Sequence, residues 1–291
     1  MAQVTLPSSV TIEYERQGSG RPLLLIMGLA GQLIDWPEGF VEHLVGQGFE
    51  VITFDNRDSG LSTAFDWEPP SQAASVTAML TRRAVSNVGY TIDDMANDTA
   101  GLLTELDIVQ ADVVGMSMGG MIAQSLAIHH PQRVRSLTSV MSHTGDRRNG
   151  GLAWELIRRH GLPRRPDREL AGDQAVRLWK HISGDHFDEA ETRRRSAASV
   201  ARSWRPEGVQ RQTAAIAGSP NRTPGLRSIT TPTLVIHGLK DLLVKPSGGQ
   251  ATAAAVAHSR LLMFPTMGHN LPDSLHEELV SAIASHVERA S

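Results

Sequence analysis

Apolar residues in this chain come in short blocks separated by polar, glycine-rich connections, and the blocks alternate between two periods. Leu23-Leu24-Leu25-Ile26-Met27 is apolar at every position, the pattern of a strand buried on both faces in a parallel sheet. Residues 10–15, 50–54, 111–114, 134–141 and 233–237 and Arg260–Phe264 share its strand character. Between these blocks the spacing turns helical: over 38–46, over 120–127 up to Pro131, and from about Pro272 to Arg289. A further helix opens at Thr91, with Asp94 three residues on, and runs to about Leu106. Strand and helix alternating in this way predict an α/β fold, a mostly parallel central sheet with helices on both faces. The alternation breaks over 143–217, which is helical throughout and holds three of the five tryptophans. We expect a helical cap, or lid, inserted there over the carboxyl edge of the sheet, with the core formed by 1–142 and 218–291.

Composition narrows the classes of function. With 291 residues, 40% of them hydrophobic, the chain suits one large α/β domain with an insertion. A formal net charge of −3 offers no basic face, so no nucleic-acid partner is expected. Without cysteine there is neither a disulfide framework nor a thiolate metal site. The first residues lack a basic and then apolar leader, and the apolar runs are too short to span a bilayer. The expectation is a cytoplasmic monomer or homodimer with no membrane partner. Charge is unevenly spread: residues 143–217 carry 15 Lys and Arg, 14 of them Arg, against 10 Asp and Glu. Such a surplus suits either a lid that attracts anionic or carbonyl-rich ligands or arginines solvated on exposed helix faces.

The chemistry centres on Gly115-Met116-Ser117-Met118-Gly119, a serine between glycines at a strand-to-helix joint. A turn that tight lifts the serine hydroxyl above the sheet and leaves no room for a Cβ at the flanking positions. A serine hydroxyl needs a base in hydrogen-bond reach and an acid that orients the base. Asp241 follows the strand at 233–237 through Gly238-Leu239-Lys240, and His269 follows Arg260–Phe264 through Pro265-Thr266-Met267-Gly268. Both fall at the carboxyl ends of strands, where open α/β sheets build their sites, and the order Ser, Asp, His suits the elbow architecture. Donors for a developing oxyanion would be the N–H groups of Met118, next to the nucleophile, and Leu29, where Gly28 lets the backbone turn sharply.

On these residues the chain resembles the α/β-hydrolase family over nearly its whole length. Gly115 to Gly119 matches the nucleophile elbow, and Asp55-Asn56-Arg57-Asp58-Ser59-Gly60-Leu61-Ser62 matches the family's Asp-x-Arg-Gly-x-Gly-x-Ser turn. His237-Gly238-Leu239-Lys240-Asp241 resembles the acid-bearing segment, and Gly268-His269 the histidine loop. Ile26-Met27-Gly28 followed by Asp35-Trp36-Pro37 looks most like the aclacinomycin-methylesterase-like carboxylic ester hydrolases. Met27 departs from the His that usually precedes the oxyanion glycine, and Asp58 from the glycine usual in the turn.

The resemblance implies a serine esterase with a helical cap, acting on a small-molecule ester or lactone, for which a bulky, polyketide-like or macrocyclic substrate is preferred. Candidates to line its pocket are Gly28, Met116, His143, Trp154, Trp179 and Trp204, with Met118, Met121 and residues 64–87. Serine at the elbow argues against dehalogenase or epoxide-hydrolase members, which use Asp. Cofactor-free perhydrolysis and carbon–carbon bond hydrolysis use the same triad, and a receptor with slow turnover on the same scaffold is the alternative of another class. No cofactor or metal is expected. His129-His130 is not spaced as a metal pair, and residues 115–120 lack the glycines of a dinucleotide loop.

Overall fold

At the centre of the computed structural model, which describes residues 1–161 and 166–290, lies an eight-stranded sheet. Its strands are β1 (Ala2–Thr5), β2 (Thr11–Gln17), β3 (Arg21–Ile26), β4 (Phe49–Phe54), β5 (Ala111–Met116), β6 (Val134–Val140), β7 (Thr233–Gly238) and β8 (Arg260–Phe264). Their spatial order is β1-β2-β4-β3-β5-β6-β7-β8. β2 runs antiparallel to both neighbours, and every pairing from β4 to β8 is parallel.

Among the described residues eleven α-helices follow in chain order. The first four are α1 (Glu38–Gly46), α2 (Gln72–Leu80), α3 (Ile92–Glu105) and α4 (Met118–His129). Next come α5 (Trp154–His160), α6 (Ala171–Ile182), α7 (Glu189–Arg202) and α8 (Pro206–Gly218), and last α9 (Thr223–Leu226), α10 (Ser247–Ala255) and α11 (His276–Arg289). The sheet is buried on both sides because successive side chains point to opposite faces. Leu23 and Leu25 of β3 pack with Phe40 and Leu44 of α1 and with Leu279 and Ile283 of α11. Leu24 and Ile26 pack on the other face with Leu102 of α3 and Ile122 of α4. The capping box at Thr91 forms as its sequence suggests: the Asp94 carboxylate accepts the Thr91 N–H at 2.7 Å.

Four elements escape the sequence pattern: β1, α2 and the short helices α9 and α10. β1 is a mostly exposed edge strand of four residues, Ala2-Gln3-Val4-Thr5, too short for its alternation to stand out. α2, in a stretch rich in small and polar residues, buries only Ser75 and Val76. The last helix begins at His276, after a single 3-10 turn over Asp273–Leu275. Between β6 and β7 the described residues form α5 to α9 and no strand, with α8 ending at Gly218; the part of the expected cap at 162–165 lies outside the described residues. Among the described residues no helix is long and apolar enough to cross a membrane.

The arginines of this stretch divide between two roles. Arg159, Arg193 and Arg194 pair with Glu155, Asp173 and Glu191 on exposed faces. Arg202, Arg205 and Arg211 instead reach the loops after β3 and β4. Arg202 donates to Asp55 Oδ2 and Gln32 Oε1 at 2.7 Å each, and Arg211 donates to both Asp58 oxygens at 3.0 Å. Arg205 donates to the Ser62 carbonyl at 2.5 Å, and Arg195 to the Asp35 carbonyl. Arg164 and Arg165 lie outside the described residues. Solvated helix faces therefore account for only part of the charge; Arg195, Arg202, Arg205 and Arg211 fasten the helices to the core.

Candidate active site

Ser117 stands between β5 and α4 with φ 57° and ψ −118°, a strained conformation for a residue with a Cβ. The neighbours permit it: a Cβ on Gly115 would overlap the Gly119 carbonyl, and one on Gly119 would overlap the Ile26 carbonyl. The Ser117 N–H is fixed by the Val140 carbonyl at 2.8 Å, and its own carbonyl accepts from Gly120 and Met121 as the helix starts.

The loops after β7 and β8 bring Asp241 and His269 to this serine. His269 Nε2 lies 2.9 Å from Ser117 Oγ, and His269 Nδ1 lies 2.6 Å from Asp241 Oδ2. An ionised carboxylate only accepts, so Nδ1 carries the proton and Nε2 is left to accept from the serine hydroxyl. Asp241 Oδ1 accepts the Leu243 and Val244 N–H groups at 2.9 Å each. Burial works to raise the Asp241 carboxyl, but the facing His269 and the bonds from His237 and His269 hold it below its ordinary value. The His269 N–H donates to the Ile182 carbonyl at 2.6 Å, so a residue of α6 anchors the histidine loop.

The loop after β3 turns directly past Gly28, whose carbonyl accepts the Gly31 N–H at 3.2 Å. Gly28 is not the residue at which this loop enters the left-handed region; Ala30 is, at φ 66°. Gly28 is needed for close approach instead: a Cβ there would stand 3.1 Å from Ser117 Cβ and 3.3 Å from the Met116 carbonyl. Leu29, half-buried, lines the space above Ser117. Met118 is wholly buried at the first position of α4, where a helix has no acceptor of its own for the N–H.

A cavity of about 1400 Å³ opens over Ser117 and His269, walled by the core loops on one side and by α5 to α8 on the other. Gly28, Met116, Met121, His143, Trp179 and Trp204 all line it. Trp154 does not: α5 buries only Leu156, which leaves Trp154 at the helix start 72% exposed to solvent. Met118 also drops out of the lining, because it packs under the serine into the core with Ile26 and Ile122. Of residues 64–87, the lining includes Gln72, Val76 and Met79 of α2.

His143 accepts the Gly145 N–H on Nδ1 at 2.9 Å, and burial, with Arg222 adding to it, pushes its imidazole down to about 3. It is a neutral loop residue at the cavity wall. His129 and His130 end α4, His130 bonded to Asn97 at 2.8 Å. Gln212 and the Asp58–Arg211 pair were not legible as site neighbours, because their partners lie more than a hundred residues away with no local spacing to mark them.

The residues at 21–274 match a family model described as the alpha/beta hydrolase fold. A rhodomycin D methylesterase of Streptomyces sp. strain C5 is 30% identical over 295 residues, covering 93% of this chain and 92% of the relative. The 3-oxoadipate enol-lactonase 2 of Acinetobacter baylyi is 31% identical over 176 residues, 59% of this chain and 62% of the relative. Among solved structures, a meta-cleavage product hydrolase from Pseudomonas fluorescens IP01 superposes with a TM-score of 0.76 at 18% identity, covering 100% of this chain and 98% of that one, a likeness of fold.

Proposed function

The chain belongs to the α/β-hydrolase fold family and is a carboxylic ester hydrolase, and from that premise we propose that it cleaves its ester through an acyl-enzyme on Ser117. The observation that carries this reading is the continuous hydrogen-bond chain from Ser117 Oγ through His269 to Asp241, at 2.9 and 2.6 Å. His269 Nε2 takes the serine proton as Oγ attacks the ester carbonyl, then gives it to the departing alcohol oxygen. Asp241 holds the imidazole in the required tautomer and stabilises the imidazolium. The N–H groups of Leu29 and Met118 receive the developing oxyanion. A water that gives its proton to His269 then attacks the acyl carbonyl, and collapse of that intermediate returns the proton to Ser117 and frees the acid.

The substrate we infer is a bulky ester or lactone, with a methyl ester the leading form. Two facts support it: the cavity of about 1400 Å³ exceeds the usual 300–1,000 Å³ of small-ligand pockets, and a relative 30% identical over 93% of this chain is named as a methylesterase. We further propose that α5 to α8 act as the cap enclosing that substrate.

Intact mass after exposure to a fluorophosphonate, followed by a panel of esters and lactones, tests the reading. Wild type should gain one adduct and Ser117→Ala none, with kcat of the mutant lower by roughly 10⁴-fold or more. Bulky methyl esters should exceed acetate esters in kcat/KM. A Ser117→Ala protein that keeps its turnover would sink the mechanism.

A further inference from the structure

His143 stands in the loop after β6, which runs alongside the elbow. The Ser117 N–H donates to the Val140 carbonyl at 2.8 Å, and a Cβ on Gly120 would stand 2.6 Å from Ser142 Cβ. In the sheet β5 lies between β3 and β6, so the loops that carry Leu29 and His143 reach Ser117 from opposite sides. The main chain at His143 is pinned, because its carbonyl accepts from the buried Arg222 guanidinium at 3.0 Å. Two glycines pack against its side-chain base: an added Cβ would stand 2.5 Å from His143 Cβ at Gly150 and 2.9 Å from it at Gly248.

The two ring nitrogens have different parts. The Gly145 N–H can only donate, so Nδ1, at 2.9 Å, meets it with a lone pair. Burial keeps the ring neutral, which leaves its single proton on Nε2. Among the described residues nothing accepts that proton. His237 Nδ1 is likewise unpaired but wholly buried, whereas His143 Nε2 keeps accessible surface. The side chain is half-buried, and its open side is the cavity over Ser117. The wall therefore presents one oriented N–H with no protein partner. Such a donor is costly when a ligand covers it with a methylene and favourable when the ligand brings an acceptor, so it selects between ligands of one shape.

We propose that His143 is a specificity-determining residue: its Nε2–H donates to a second acceptor oxygen, such as a ketone, that the substrate carries in its acyl part near the scissile ester. This rests on the Ser117 reading and narrows the substrate class. The acyl part is chosen because the alcohol of a methyl ester has no further oxygen to offer. With its ester oxygen turned toward Leu29, such a substrate meets His143 on the opposite side of the serine.

Steady-state kinetics on matched pairs of methyl esters test this. Each pair sets a keto ester (β-ketobutyrate, γ-ketopentanoate or δ-ketohexanoate) against the ester in which a methylene replaces the ketone. The quantity read is the keto-to-methylene ratio of kcat/KM within one protein. Intrinsic reactivity enters that ratio equally for every protein and cancels when proteins are compared. His143→Asn keeps an oxygen to accept from Gly145 but has no N–H where Nε2 stands. For at least one pair its ratio should fall below that of wild type by about fivefold or more. His143→Phe, which fills the ring's place without a donor, should lose the same preference and carries the test if the asparagine variant does not fold. A purely structural role for His143 would slow both members of a pair alike. Ratios within about twofold of wild type for all three pairs therefore overturn the proposal. Failure of the Ser117 reading is a different result: Ser117→Ala would then turn over normally, whatever the His143 ratios do.

Discussion

Asp58 carries a conflict that a single residue can resolve in only one way. At φ 65° it occupies a conformation in which glycine has no Cβ penalty, and glycine is usual in turns of this sequence. Its carboxylate accepts from Tyr90 Oη at 2.8 Å, from the Phe65 N–H at 2.9 Å and from Arg211 Nε at 3.0 Å, all buried or nearly so. Relief of the left-handed backbone is worth about 1–2 kcal/mol, whereas stranding the buried partner of an ion pair costs about 3–5 kcal/mol. The second effect wins. Asp58→Gly should therefore lower stability by roughly 2–3 kcal/mol in urea unfolding, and a variant as stable as wild type would show that the Arg211 pair is worth no more than the backbone relief. The departure from glycine is visible in the sequence; its reason is not, because Arg211 stands 153 positions away.

Elements announced themselves where their own residues decide their conformation. The apolar run of β3 from Leu23, the Thr91–Asp94 box of α3 and the glycine-flanked joint of β5 and α4 are all local signals. α2 carries no comparable signal, since what it buries is set by α8 and the cavity rather than by its own period. The junction of α6 with the histidine loop is equally silent in sequence. There Gly184, at φ 64°, forms an isolated bridge with Met267, and the Ile182 carbonyl holds the His269 N–H at 2.6 Å. A Cβ on Gly184 would overlap the Thr266 carbonyl and stand 2.7 Å from the Gly268 nitrogen, so alanine must push the histidine loop away. Gly184→Ala should lower kcat by about 10- to 100-fold through misplacement of His269. Rates like wild type would mean that the loop keeps its geometry without α6.

Over the whole molecule, several buried histidines are held neutral. Burial pushes His143 to about 3, and burial also lowers His276 and His286 below their ordinary value. An unfolded histidine takes its proton near pH 6.5, so below that the unfolded chain binds more protons than the folded one. Their contribution is present in full above about pH 6.5 and is lost as pH falls toward the folded values. The thermal midpoint should hold steady at about pH 7–8 and fall by about pH 5, and His143→Asn, which can still accept from Gly145, should flatten that fall. A midpoint that stays level down to about pH 5 would contradict this. By itself the sequence determined the α/β sheet, the elbow serine and the order of serine, acid and histidine, because apolar period, glycine placement and loop position act over a few residues. Tertiary structure alone decided which arginines fasten the inserted helices to the core, that Trp154 faces solvent while Trp179 and Trp204 wall the cavity, and that Gln212 meets Ala30. Those contacts join residues far apart in the chain, and only packing selects among the many partners that local patterns leave open.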